Sequence, residues 1–319
     1  MTSAHKMLVE VRDLVKHHVT PAGVVQAVDG VSFSIAPGEV LGLVGESGCG
    51  KSTLGRTLLG LDQADSGSVR FDGNELVGLS RRKLRPYRRH LQMIFQDPFG
   101  SLNPRSSVER LLTEPFAVHG IGTRTERKEW ARELLVRVGL RHEHGARFPH
   151  QFSGGQRQRI SIARAISLRP QMIVCDEAVS ALDVSVQAQI VNLLRALQQE
   201  DGLSYLFISH DLGVVGYLAD RIAVMYLGRV VEIGTKASVL KSPAHPYTKA
   251  LFAAVPGARR RDEPADIAPA LAGDPPSPLD PPSGCRFHTR CPIAVARCSV
   301  ESPVLRTIRD GQQVACHLA

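Results

Sequence analysis

The apolar positions change period along the chain. They begin in short strand-like stretches, Leu8–Val11 and Val31–Ile35, and a Pro37-Gly38-Glu39 turn then leads into the unbroken apolar run Val40–Val44. A short apolar run bounded by turn residues predicts a strand covered on both faces. A glycine-rich loop follows, and a helix is predicted from about Lys51 to Leu61. Two more strands, Ser68–Phe71 and Leu91–Phe95, flank the basic stretch Ser80–Arg89. From Ser107 to Gly139 the spacing turns helical, as at Trp130, Leu134, Leu135 and Val138. The next phase alternates: helix Gly155–Leu168, buried strand Met172–Cys175, helix Ser185–Glu200, strand Tyr205–Ser209, then two short strands ending near Gly234. Alternation of this kind predicts an α/β domain with a parallel sheet core, and the helical middle, about 97–152, reads as an inserted subdomain. There is no internal repeat.

Composition adds the boundaries. After Pro256 the prolines crowd together, so the chain divides into a domain over 1–256, a proline-rich linker over 257–284 and a cysteine-bearing tail over 285–319. A length of 319 residues, 43% hydrophobic and 22% charged, suits one large domain with a small appendage and excludes disorder for the bulk. No apolar run approaches the ~20 residues that span a bilayer. The first residues mix Lys6, Glu10, Arg12 and Asp13 into the apolar stretches, unlike a signal peptide, so a cytosolic location is expected. Net charge is +8, which suits nucleic acid, anionic lipid or phosphate ligands. The basic clusters, Arg81–Arg89 and Arg259–Arg261, lack the interleaved aromatics of a single-strand binder and read as solvated faces near an acidic membrane surface.

Three motifs carry chemistry. The first is Gly45-Glu46-Ser47-Gly48-Cys49-Gly50-Lys51-Ser52, followed by Thr53, a P-loop placed between a strand and a helix. Its glycines turn backbone N–H groups toward phosphate oxygens at a helix N-terminus; Lys51 reaches the β- and γ-phosphates of ATP and the Ser52 hydroxyl is placed for Mg²⁺. The second is the strand end Asp176-Glu177, with Asp176 for the metal's water shell and Glu177 as general base for the attacking water. The third, Ser153-Gly154-Gly155-Gln156, starts a helix with small residues and offers further backbone donors to phosphate. Cys49 and Cys175 lie within these motifs and read as packing residues.

The third motif resembles the signature sequence of ABC-type ATPases, and other landmarks of that family fall in order. In the family the signature of one subunit caps the γ-phosphate held by the other's P-loop. Gln96 is similar to the loop glutamine that senses Mg²⁺, Asp183 to the loop that crosses between subunits, and His210 to the histidine that contacts the γ-phosphate. Two positions depart from the pattern: Ala178 where proline commonly follows the glutamate, and His18 about where a tyrosine commonly stacks on adenine. The resemblance implies an ABC-type P-loop ATPase with a mixed sheet core, a helical subdomain and Mg²⁺ held by Ser52, Gln96 and Asp176.

Phe99–Arg105, Ser242–Thr248 and Gly284–Pro292 extend the resemblance to dipeptide and oligopeptide importer ATPases, closest to the F-type subunit. The implied partners are a second, D-type ATPase subunit, two integral membrane permease subunits and an extracytoplasmic substrate-binding protein, with no nucleic acid. The chain would then sit peripherally on the cytoplasmic face of the inner membrane. Nickel and glutathione importers share the architecture, so the cargo stays open. An ABC ATPase remodelling nucleic acid or ribosomes is the alternative.

Cys285, Cys291, Cys298 and Cys316 are spaced C-x5-C-x6-C-x17-C in a segment too small to build its own core. Disulfides, Zn²⁺ and an iron–sulfur cluster are all open to such a set, and a reducing cytosol disfavours the first. The family resemblance implies a [4Fe–4S] cluster, in a metal-binding tail fastened to a neighbouring subunit and separated by the linker from the hydrolytic chemistry.

Overall fold

The computed structural model describes residues 6–253, 273–309 and 311–319. The first part of the expected linker, 257–272, and the Arg259–Arg261 cluster lie outside the described residues. The chain forms two compact units, one from Met1–Ala36, Val40–Gly78 and Ser209–Ala319, the other from Pro37–Glu39 and Leu79–Ile208.

The first unit opens with β1 (Val9–Thr20), β2 (Gly23–Ile35), β3 (Val40–Val44), β4 (Ser66–Phe71) and β5 (Asn74–Glu75). Four of these form an antiparallel sheet in the order β2-β1-β4-β5. The hairpin of β1 and β2 is much longer than the apolar pattern predicts, because β1 continues through Lys16-His17-His18 to Thr20. Register shifts between Val11 and Leu14 and between Lys16 and His18 break the two-residue period that marks a strand. Asp65 pins the irregular stretch by accepting from Lys16 Nζ at 3.1 Å and His17 N at 2.6 Å.

The second unit holds β6 (Leu91–Ile94), β7 (Met172–Asp176) and β8 (Ser204–Ile208), all parallel, in the order β8-β7-β6. Every residue of β7 and β8 is buried, which is why both read as continuous apolar runs. The helical stretch expected over 107–139 is two helices, Val108–Val118 and Arg124–Arg137. Gly120, at φ 69°, ends the first one just past its C-cap His119. Thr123 starts the second in a reciprocal capping box with Glu126, a device that contributes about 1 kcal/mol. Trp130 meets Phe116 of the other helix with ring centroids 5.0 Å apart.

Back in the first unit come β9 (Arg221–Tyr226), β10 (Arg229–Thr235), β11 (Arg306–Arg309) and β12 (Gln312–Val314). They continue from β3 in the order β11-β12-β10-β9-β3, with β3 and β9 parallel and the remaining pairs antiparallel, so the sheet is mixed. The tail, expected as a module of its own beyond a linker, is part of this unit. It adds two strands to this unit's own sheet, and Phe287 is buried against Tyr226, Tyr247 and His245, with centroids 5.3, 5.4 and 5.7 Å away. A segment with few apolar residues of its own completes a core that already exists.

Candidate functional site: the P-loop unit and the signature unit

In the first unit β3 runs straight into the P-loop, and the helix Lys51–Leu58 leaves it. Gly50 shows why glycine is required: its φ is 105°, and an added Cβ would stand 1.8 Å from the carbonyl oxygen of Ala27. The Lys51 side chain is buried within its own loop, donating to the carbonyl oxygens of Gly45 at 2.9 Å and Glu46 at 2.8 Å. Burial pushes the neighbouring Cys49 thiol up, so it is an uncharged packing group as expected. Ser47 and Gly48, at the loop's tip, are exposed, and Ser52 and Thr53 are half-buried.

Two further groups hold the loop that the motifs do not reveal. The Tyr247 hydroxyl accepts from Glu46 N at 2.9 Å, and Arg290 donates to both carboxylate oxygens of Glu46, at 2.9 and 3.1 Å. Residues 46 and 290 are so far apart in the chain that no spacing rule links them; a buried arginine after a short tail turn carries no signal until the tail is docked.

The segment with His210 begins beside the loop's feeding strand, since Ser209 N donates to Leu43 O at 3.2 Å. Asp211 caps the next helix, Leu212–Leu218, accepting from Gly213 N and Val214 N. His210 is exposed. His18 lies half-buried in β1 at the register shift, opposite Val25.

In the second unit the candidate base and the loop glutamine meet: Gln96 Nε2 donates to Glu177 Oε2 at 2.7 Å. Glu177 has a left-handed backbone, φ 46°, and its N–H donates to Ile208 O at 3.0 Å, so the carboxylate is aimed by a strained turn anchored on β8. Asp176 is buried at the end of β7. Ser153 is the N-cap of the helix Gly154–Ile166 and shares a capping box with Gln156, at 3.1 and 3.3 Å. Gly155 is required by packing, because an added Cβ would fall 2.4 Å from Val186 Cγ1. Val186 belongs to the helix Val184–Asp201, whose N-cap is Asp183, so the signature and the Asp183 loop are packed as one piece.

The tail cysteines were expected to hold a metal. Among the described residues no three His, Cys, Asp or Glu side chains are gathered as a metal site, so that expectation lacks structural support. Two of the four thiols, Cys285 and Cys291, feel their neighbours. Burial first, and then Cys298, Cys316 and Cys291, push the Cys285 thiol up; burial, Cys316 and Cys298 do the same to Cys291.

Comparison with known proteins places this geometry. A protein of Bacillus subtilis (strain 168), "Oligopeptide transport ATP-binding protein AppF", is 49% identical over 100% of this chain and 99% of its own length. The chain belongs to the ABC transporter ATPase family. Its activity is ATP hydrolysis. The family profile "ABC transporter" matches residues 28–180, and "Oligopeptide/dipeptide transporter, C-terminal region" matches 231–298. "Putative oligopeptide transport ATP-binding protein YkfD" of the same organism is 53% identical over 92% of this chain and 90% of that one. Among solved structures, the dimeric ATP-binding cassette MJ0796 bound to ADP and Pi superposes with a TM-score of 0.65 at 29% identity, covering 72% of this chain and 98% of that chain.

Proposed function

We propose that this ABC ATPase energises the import of dipeptides or oligopeptides across the cytoplasmic membrane. One observation carries the reading: the identity to relatives named for peptide transport runs through the whole chain, tail included. The partners are a related second ATPase subunit, two membrane permease subunits and an extracytoplasmic binding protein. The chain itself is peripheral on the cytoplasmic face; among its described residues no helix is long and apolar enough to cross a membrane.

The mechanism follows from the side chains. Lys51 exchanges the carbonyls of Gly45 and Glu46 for the β- and γ-phosphates of ATP, and His210 binds the γ-phosphate. Ser52, Gln96 and Asp176 are oxygen donors suited to Mg²⁺, which neutralises phosphate charge when bound. Gln96 fits that role because its amide nitrogen is spent on Glu177, which keeps the amide oxygen for a cation. Glu177 takes the proton of the attacking water. Ser153, Gly154, Gly155 and Gln156 cap the γ-phosphate of a partner subunit's ATP, and Asp183 carries the contact between subunits. Closure of two such subunits on ATP does the mechanical work, and hydrolysis separates them. Adenine rests near His18.

The finer reading of the tail is a [4Fe–4S] cluster on Cys285, Cys291, Cys298 and Cys316, with zinc as the alternative. Four cysteines in one segment, with Cys298 and Cys316 close enough to bear on both the Cys285 and Cys291 thiols, support it, and the group would staple the tail. Protein purified anaerobically should carry about four irons per chain; colourless protein with stoichiometric zinc would decide for the alternative. For the function as a whole, the test is affinity purification from membranes. Co-purification of integral membrane subunits, with peptide uptake lost on deletion, supports the reading; recovery with RNA or ribosomes overturns it.

A further inference from the structure

A P-loop that carries an acidic residue has an electrostatic problem. Glu46 lies inside the loop that receives the triphosphate, and its carboxylate is close enough to bear on the Cys49 thiol. An unbalanced negative charge there opposes every phosphate that enters. The balance comes from the far end of the chain. Arg290 ends the short turn His288–Arg290 and places its guanidinium on Glu46 in a two-pronged ion pair, at 2.9 and 3.1 Å. Its side chain is only 6% exposed and that of Glu46 22%, so solvent screens the pair weakly. The guanidinium is itself held, by Gly273 O at 3.0 Å and the Tyr226 hydroxyl at 3.4 Å, with the Tyr226 ring 5.9 Å away. Phe287, three residues earlier, is anchored in the aromatic cluster, and Arg286 beside it is tied to Asp29, Gln26 and Leu227 O. The arginine thus reaches the loop from a docked and buried support.

We propose that Arg290 is a positioning and charge-balancing residue for nucleotide binding: the tail supplies the cation that neutralises Glu46 and lets the P-loop accept ATP. Tail docking and nucleotide affinity are then coupled through one ion pair. The inference rests on the P-loop being the ATP site. It assigns the tail a role at its own chain's nucleotide site, apart from any metal it holds.

The test measures ATP, ADP and AMP affinity of the full chain, and the KM and kcat of the assembled transporter. Arg290→Ala should weaken ATP binding roughly tenfold by leaving the half-buried Glu46 carboxylate unpaired, ADP less and AMP least. KM should rise with kcat little changed. Glu46→Gln should tighten ATP binding a few-fold, because Arg290 is then unbalanced in the ligand's favour, and the pair Glu46→Gln with Arg290→Ala should return close to the parent. Loss of folding cannot mimic that rescue, and the Glu46→Gln arm stands if Arg290→Ala does not fold. Equal weakening of AMP and ATP, no rescue by the double variant, or no tightening in Glu46→Gln overturns the proposal. A parent chain that binds no ATP would instead overturn the assignment of the P-loop.

Discussion

Lowering the pH should loosen the tail through one buried imidazole. His245 is fully buried against Phe287, and its Nδ1 accepts from Tyr247 N at 3.0 Å. Its proton affinity is depressed from the ordinary 6.5 to about 3, chiefly by burial, with Lys249 adding to the effect and an Ala315 backbone hydrogen bond opposing it. The folded chain therefore refuses a proton that the unfolded chain takes below pH 6.5. Stability present above that value is lost as the pH falls toward 3, at about 1.4 kcal/mol per pH unit. By pH 5 the loss attributable to this residue is about 2 kcal/mol. The assay is denaturant unfolding of the full chain at constant ionic strength from pH 7.5 to 5, beside His245→Asn. Asparagine keeps an acceptor for Tyr247 N and has no proton to gain, and the remaining ionisable groups are common to both proteins, so their contributions cancel in the difference. The difference between the two stabilities should close by about 2 kcal/mol over that range, with the parent doing the losing. Parallel pH profiles would refute the reasoning.

Other perturbations test the nucleotide chemistry. Glu177→Gln should retain ATP binding and lose roughly 10²–10⁴-fold in turnover of the assembled complex, read in single-turnover hydrolysis; near-normal turnover would show another base. Ser153→Arg should leave this chain's own nucleotide affinity intact and impair hydrolysis at the partner's P-loop, so collapse of binding in the isolated variant would place Ser153 in cis. Gly50→Ala combines φ 105° with a Cβ 1.8 Å from Ala27 O, and it should abolish nucleotide binding in equilibrium titration; unchanged affinity would show that the loop can shift.

What the sequence revealed, and what it hid, follows from the range of the interactions. β7 and β8 are buried on both faces, so their apolar runs announce them, and the P-loop and signature are local motifs whose chemistry lies in adjacent backbone groups. β1 is obscured because its bulges break the alternation and solvent accepts its polar residues. The Gln96–Glu177 bond links a position marked by the family resemblance, Gln96, to one marked by the strand-end motif, Glu177, but its geometry needed the sheet. Tyr247 and Arg290 act on Glu46 from chain positions that only the folded sheet brings near, and their types are ordinary for a core tyrosine and a tail arginine. Four cysteines drew attention in the tail, while the arginine between them makes the contact with the P-loop.

The two tail strands also have a consequence for solubility. β10 has the buried residues Val230, Val231 and Ile233, and without β12 its outer backbone groups would present an apolar, unpaired ribbon to any passing strand. β12 takes those groups, with Ala315 N closing on Val231 O, and passes the border to β11, whose exposed Arg306 and Arg309 carry positive charge. The last residues of the chain thus serve as a charged selvedge that resists fraying and self-association. A chain cut after Ala253 would keep every nucleotide motif and still be prone to stick to its own copies through β10.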